Sequence, residues 1–555
     1  MNPSTQFTLA RIKQKIRPYL KHLDDPRTRW AILASQWTIL AIATGWIVAH
    51  MSYYLSYVAD EFVTTYIFKN ASPGYIHAAA SHTDILKVPL VWLFANIHFT
   101  YTSYVVLNYL VVFGSFALWS YLVGKLFNRK IQGLTALLFV TFSFCSTSFI
   151  LNLTEVTIRN IEYPLGLLII YWCTQFFSDR TLSWRKLIAP ATLLGLLILH
   201  DHFFLYTLAP AIMVASVIYA VKLGRLTKTA IYTLVMPIIG VVFGLIITKA
   251  VGLGLMTLIH GYATPTQTPH LENVPGLIVL TTHQILSLFG AVIFGVPVRL
   301  RFVATFLLFA LVTLIIYAIH RIHKLGIKKI GDERYFLHLC LSMFGTFIVL
   351  AYIFSNLASA GNTRYLTGIV YIGITYLAWL IFSLRTRFPN ADVFASVVLI
   401  SIILLSIPKI HAKYTQLADN ASSERNRIQQ IVHTAKQNDV QTILAPNGYA
   451  TIRFYSEGTI SPIVELISCN VPSSSTNNAS WLIPSSSVHV AGLLIDNSAS
   501  SKAEAMCSLS SIKSIYGTPT KVEQVPSLLN EHGTATLYIY HYDIRTKINH
   551  SGFNG

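Results

Sequence analysis

Long apolar runs decide what this chain can fold into. Trp30–His50, Thr102–Val123, Ala230–Ile247 and Phe302–Ile319 are almost free of charge. Each is long enough to cross about 30 Å of hydrocarbon at about 1.5 Å per helical residue. Backbone N–H and C=O groups find no water in lipid, so such runs must be helices that satisfy their own hydrogen bonds. Val393–Ile407 is a shorter run, read as ending at Pro408, since proline cannot donate to the preceding turn. Composition agrees: 12% of the 555 residues are charged and 53% are hydrophobic. A water-soluble globule carries about 25% charged residues. The expected fold is a polytopic α-helical membrane protein with about eleven transmembrane helices.

The net charge of +18 at first suggests a polyanion partner. Its distribution excludes nucleic acid. From residue 410 onward, ten Lys/Arg balance ten Asp/Glu, so the whole excess lies before residue 410. There it gathers in short segments between apolar runs, the pattern left by membrane insertion. Residues 1–29 carry Arg11, Lys13, Lys15, Arg17, Lys21, Arg27 and Arg29 ahead of the first run. That run is longer than a signal-peptide core and lacks a small-residue cleavage site, so it reads as an uncleaved first span. With residues 1–29 cytoplasmic, the later cytoplasmic turns should be basic, and they are. They hold Lys125, Arg129 and Lys130; then Arg180, Arg185 and Lys186; then Lys222, Arg225 and Lys228; then Arg321 to Arg334; then Arg385 and Arg387. Leu277–Val296 is apolar enough to span, but a span there would move the cluster near residue 330 to the other side. It is therefore expected to be an outer-surface or re-entrant helix.

The threading gives a transmembrane domain over residues 30–409 and a soluble extracytoplasmic (periplasmic) domain over 410–555. In the latter, Ser422–Asn438 has helical spacing, and Gln441–Leu444, His489–Asp496 and Thr536–His541 have strand character, which predicts a small α/β domain. Cys469 and Cys507 are its only cysteines and are expected to pair in an oxidising compartment. Cys145, Cys173 and Cys340 fall in spans as packing residues, and no CxxC or Cys/His metal motif occurs.

Ionisable residues at the outer ends of spans carry the functional signal, because charge beside hydrocarbon usually lines a site. Asp60 and Glu61 follow the first span, with His82 and Asp84 further along the same loop. Adjacent carboxylates suit proton abstraction from a hydroxyl, or a divalent metal ion that neutralises phosphate; they also suit a solvated loop start. Glu155, Arg159 and Glu162 would share one face of a helix, as a site or as a local ion-pair ladder. His200-Asp201-His202 ends the fifth span and could bind metal or phosphate, although the spacing fits no standard zinc motif. Arg364 and Tyr365 open the tenth span after a loop of small residues, where a guanidinium offers a planar fork to phosphate or simply snorkels to the interface.

In order, side and spacing, these motifs resemble the GT-C superfamily of membrane glycosyltransferases over roughly Trp30–Leu384. Asp60-Glu61-Phe62 resembles the acidic first-loop motif of protein O-mannosyltransferases and related bacterial enzymes. His82-Thr83-Asp84 through Pro89-Leu90 resembles the stretch leading into their second span, and Arg364-Tyr365-Leu366 is similar to their Arg-Tyr motif near the lipid phosphate. No WWD-type motif of the oligosaccharyltransferase catalytic subunit is present, which disfavours transfer of whole oligosaccharides to protein Asn. The resemblance implies an inverting transfer from a polyprenyl-phosphate sugar to an envelope glycan, lipid or protein, on the outer face of the cytoplasmic membrane. Asp60 would be the general base, and Glu61 would assist or help hold a metal ion. Arg364 would hold the leaving phosphate; Arg159 could do likewise, oriented by Glu155 or Glu162. Two other readings remain open at this point. One is a non-catalytic GT-C-like scaffold that binds envelope polymer. The other is a secondary transporter, which should show midplane charges and two similar halves, neither of which is seen.

Overall fold

A computed structural model describes residues 25–55, 86, 101–151, 160–178, 183–250, 273–290, 298–354, 363–386, 388, 390–445, 452, 455–456, 459–460, 463–469, 471–472, 488–496, 507–527 and 532–547. The described residues pack as two compact units. One draws on 1–48, 108–247 and 266–411, the other on 49–107, 248–265 and 412–555.

The first unit is helical. The longer helices along the chain are α1 (Pro26–Leu55), α2 (Tyr101–Leu126), α3 (Ile131–Cys145), α4 (Glu162–Ser178), α5 (Ile188–His200), α6 (Leu208–Leu223), α7 (Lys228–Ala250), α8 (Val274–Leu288), α9 (Val298–Ile330), α10 (Asp332–Ile353), α11 (Thr367–Ser383) and α12 (Ala391–Gln437), of which the ends of α1, α2 and α7 and the C-terminal half of α12 fall in the second unit. Among the described residues, seven helices are long and apolar enough to cross a membrane. They lie at Pro26–His50, Val105–Leu126, Phe203–Leu223, Lys228–Ile247, Asp332–Ile353, Thr363–Thr386 and Ala391–Ala412. α3 is apolar all round and buried from Ile131 to Phe144, as befits a helix surrounded by protein. Large apolar side chains elsewhere face outward, such as Leu405 at 81% exposure and Phe394 at 73%. Water would penalise that surface; lipid does not.

Turns assigned to one side of the membrane by their charge meet each other. Arg334 Nη2 donates to the Phe127 carbonyl at 3.3 Å, and Gln175 Nε2 to Glu333 Oε1 at 3.3 Å. Arg29 Nη1 lies 2.7 Å from Asp392 Oδ2 and its Nη2 lies 2.6 Å from Asn390 Oδ1, while Arg385 Nη1 reaches the same Asp392 oxygen at 3.4 Å. The opposite ends of these helices meet in their turn, as described below. α8 has 15 residues, about 22 Å at 1.5 Å per residue. It is therefore shorter than a hydrocarbon core, and the cluster near residue 330 does sit with the turn at residue 127.

One boundary expectation is corrected. The helix does not stop at Pro408, and Ser422 does not begin a new one; α12 runs unbroken from Ala391 to Gln437 with Pro408 inside. A proline removes a single donor and can be accommodated when the helix on both sides is held by other contacts. Here an apolar run lies before it. After it, Ile428, Ile431, Val432 and Ala435 form a buried stripe with the spacing of one helix face.

That stripe packs on a six-stranded sheet in the second unit: β1 (Thr442–Ala445), β2 (Ile463–Ser468), β3 (Val471–Pro472), β4 (Ala491–Asp496), β5 (Lys521–Pro526) and β6 (Thr534–Tyr540), in the order β3-β2-β1-β4-β6-β5. β2, β1 and β4 are parallel; β6 runs antiparallel between β4 and β5. Alternation divides the strand residues between two faces. Ile443, Leu494, Leu537 and Ile539 meet the α12 stripe, while Leu444, Leu493, Ile495 and Tyr540 meet α13 (Leu509–Tyr516). The three strands expected from sequence are β1, β4 and β6. β2, β3 and β5 are additional. Cys469 and Cys507 form a disulfide on the α13 face, where the Tyr516 hydroxyl donates to the Cys469 carbonyl at 2.6 Å.

Candidate active site

The fourth helix starts where its sequence forces it to. Asn160 Oδ1 accepts from the Ile161 amide at 2.8 Å, a local bond that competes with helix formation. Pro164 could not donate to the Asn160 carbonyl in a continuing helix, but it is tolerated in a first turn. α4 therefore begins at Glu162, with Asn160 and Ile161 in a bend. Of the expected Glu155–Arg159–Glu162 ladder only Glu162 is among the described residues, and it has a partner across the helices.

That partner is His200, the last residue of α5. Its Nε2 lies 2.6 Å from Glu162 Oε1, and both residues are buried, at 4% and 0% exposure. Such a pair removed from water survives only through close geometry, because either member left alone would be a desolvated charge or dipole. His200-Asp201-His202 divides into three environments. His200 points into the protein, Asp201 Oδ1 accepts from the Phe203 amide at 2.9 Å and starts the short helix Phe203–Tyr206, and His202 is exposed. The three side chains of the triplet therefore do not converge on one point. Among the described residues no group of three or more His, Cys, Asp or Glu side chains converges as a metal site.

Arg364 and Tyr365 stand in a 3-10 turn, Thr363–Leu366, that leads into α11. The turn is held from several sides. Thr367 Oγ1 donates to the Arg364 carbonyl at 2.7 Å, and the Tyr163 hydroxyl to the Tyr365 carbonyl at 3.3 Å. The buried Tyr365 ring meets Phe203 edge-on at 5.5 Å between centroids. Gly368 lets Tyr163 come close, since a Cβ there would lie 2.5 Å from the Tyr163 ring. The Arg364 guanidinium lies 5.3 Å above the Tyr365 ring and is partly exposed, while its buried Nε has no hydrogen-bond partner among the described residues. A planar cation fixed at its base, with donors still open, is suited to an incoming oxyanion.

Glu162, His200, Arg364 and Tyr365 thus belong to one neighbourhood, linked through Tyr163 and Phe203. Sequence reading missed Tyr163 and Phe203, although each adjoins a residue it singled out. It also missed Gln284 of α8, whose Oε1 accepts from the buried Tyr352 hydroxyl at 2.6 Å. Asp60, Glu61, His82, Asp84, Glu155 and Arg159 lie outside the described residues.

No family model and no curated protein matches the sequence. Among solved structures the chain is similar to ArnT from Cupriavidus metallidurans, crystallised bound to undecaprenyl phosphate. The TM-score is 0.52 at 10% identity, covering 91% of this chain and 98% of that one. A weaker likeness links it to the Archaeoglobus fulgidus oligosaccharyltransferase in complex with Zn and sulfate, with a TM-score of 0.39 at 12% identity over 75% of this chain and 61% of that one. The same archaeal enzyme tethered to an acceptor peptide gives 0.41 at 11% identity, covering 78% and 64%. The likeness to ArnT is one of fold.

Proposed function

We propose that this GT-C-type chain is an inverting glycosyltransferase of the cytoplasmic membrane. It would move a sugar from a polyprenyl-phosphate donor to an envelope glycan, lipid or protein on the outer face. In this reading about eleven helices span, residues 1–29 are cytoplasmic and residues 410–555 are extracytoplasmic. A donor anchored by its prenyl chain presents its phosphate at the interface, where no soluble nucleotide sugar is available. Undecaprenyl phosphate, the lipid in the ArnT crystal, is the natural first probe. Arg364 would hold the phosphate and stabilise the charge that develops on it as the glycosidic bond breaks. Asp60 would take the proton from the acceptor hydroxyl, with Glu61 assisting or helping to hold a divalent metal ion. Arg159 is a second candidate for the phosphate. The observation that carries the reading is Arg364 itself: a partly exposed guanidinium whose Nε has no partner among the described residues, on a turn clamped beside the buried Glu162–His200 pair.

Purified protein incubated with radiolabelled polyprenyl-phosphate sugars should consume one of them. Asp60→Asn should slow transfer by at least about a hundredfold, the lower range for a positioned base. Arg364→Lys keeps the charge but loses the fork, so it should weaken donor use and leave some turnover. Normal turnover by a folded Asp60→Asn variant would refute the mechanism. Failure of every donor would favour the scaffold reading.

A further inference from the structure

The helical unit holds a polar group with no partner among the described residues. Asn108 of α2 is wholly buried, and among the described residues neither its Nδ2 nor its Oδ1 has a hydrogen-bond partner. A carboxamide taken out of water with both ends unmet is disfavoured, and native proteins seldom keep one without a use for it.

Its depth can be read from its own helix. Asn108, Ser115 and Trp119 are seven and four residues apart, which sets them on one face of α2. That face looks at α11. Trp119 Nε1 donates to Thr375 Oγ1 at 2.9 Å, the Trp119 ring meets Tyr371 edge-on at 4.9 Å, and Phe116 lies 6.3 Å from Tyr371. Moving from Phe116 to Trp119 moves the contact from Tyr371 toward Thr375, so the two helices run in the same direction. Asn108 lies eleven residues before Trp119, and Arg364 lies eleven before Thr375. Each step is roughly 16–18 Å, at about 1.5 Å per α-helical residue and about 2.0 Å in the 3-10 turn that holds Arg364. Asn108 therefore stands toward the Arg364 end of α11. Tyr163, 5.7 Å from Tyr371 and bonded to the Tyr365 carbonyl, lies toward the same end.

We propose that Asn108 binds a hydroxyl of the sugar carried on the lipid phosphate. This rests on the reading that Arg364 takes the phosphate. The chemistry chooses among the parts of such a donor. A phosphate oxygen only accepts and would leave Oδ1 unmet, and a prenyl chain does neither. A sugar hydroxyl donates and accepts, which matches a carboxamide with an open acceptor and open donors. Asn108 is then a specificity residue, reading the carbohydrate while Arg364 reads the charge common to every donor.

The test uses the full chain in lipid nanodiscs and two kinds of probe: undecaprenyl phosphate without sugar, and polyprenyl phosphates carrying glucose, galactose, mannose or arabinofuranose. Asn108→Ala should weaken binding of the preferred glycosylated probe by at least about tenfold, because a donor hydroxyl is left unpaired. Binding of bare undecaprenyl phosphate should change less than about twofold on that scale. Asn108→Leu, close in volume, should melt no lower than wild type, since the amide has no partner to lose. Equal weakening of both probes, or of neither, would overturn the assignment. So would a marked drop in melting temperature for Asn108→Leu, which would show that the amide is bonded within the protein. If wild-type protein binds no probe at all, the lipid-phosphate reading fails first and takes this inference with it.

Discussion

The two ends of α11 treat arginine in opposite ways. At the Arg385 end, Asp392 Oδ2 receives both Arg385 and Arg29, and Asn390, in the left-handed region at φ 66°, turns its Oδ1 to Arg29. Gln36 adds a bond to Ser396 at 2.8 Å, so α1 is joined to α12 by a row of polar contacts. At the Arg364 end the described acidic side chain, Glu162, is bonded to His200, and among the described residues no carboxylate pairs with the guanidinium. The basic residues at one end lock helices together, whereas at the other end one is held at its base and left available.

Several measurements would break or sharpen that contrast. Orientation gives the all-or-none one. Alkaline phosphatase fused after residue 412 should be active and fused near residue 327 inactive, and activity at 327 would place the locked end outside. Next in size is Glu162→Ala, which leaves His200 buried without its partner. It should destabilise the protein by about 3–5 kcal/mol, the usual result of breaking a buried pair from one side. A melting temperature near wild type would mean that the pair is not what anchors the Arg364 end. In the second unit, replacing Cys469 and Cys507 by Ser should lower stability by about 3–4 kcal/mol on the loop-entropy model. Free-thiol labelling of denatured, unreduced wild type should modify neither residue, and labelling of both would refute the bridge. The smallest effect is expected at the locked end. Asp392→Asn weakens charged hydrogen bonds that are partly exposed, for about 1.5–3 kcal/mol, with no change in lipid binding. A binding defect in that variant would erase the distinction between the two ends.

How much of this was legible beforehand depended on whether a signal is local. Apolar length and flanking charge are local, and they anticipated the helices and the meeting of residue 127 with residue 334. β1, β4 and β6 were legible from their apolar, β-branched and aromatic residues. β5, Lys521-Val-Glu-Gln-Val-Pro, is too polar to stand out, and its exposed edge position explains why it can be. Pro408 misled because a helix stop and a tolerated interior proline look alike without knowledge of what holds either side. The Glu162–His200 pair joins residues 38 apart, beyond any periodicity. It could still have been suspected: in the expected threading one begins a span and the other ends the next, which would put both at one membrane face. Nothing in the sequence around Asn108 distinguishes it from the other polar residues of α2.

The central claim is that the Arg364 end, and not the Arg385 end, receives a polyprenyl phosphate. The direct measurement is equilibrium binding of undecaprenyl phosphate to the full chain in nanodiscs, comparing wild type with Arg364→Ala and Arg385→Ala. Loss of a charge-assisted, two-pronged contact should weaken binding at least about tenfold in Arg364→Ala, and Arg385→Ala should bind like wild type. Equal affinity in wild type and Arg364→Ala, with both proteins folded, would contradict the account.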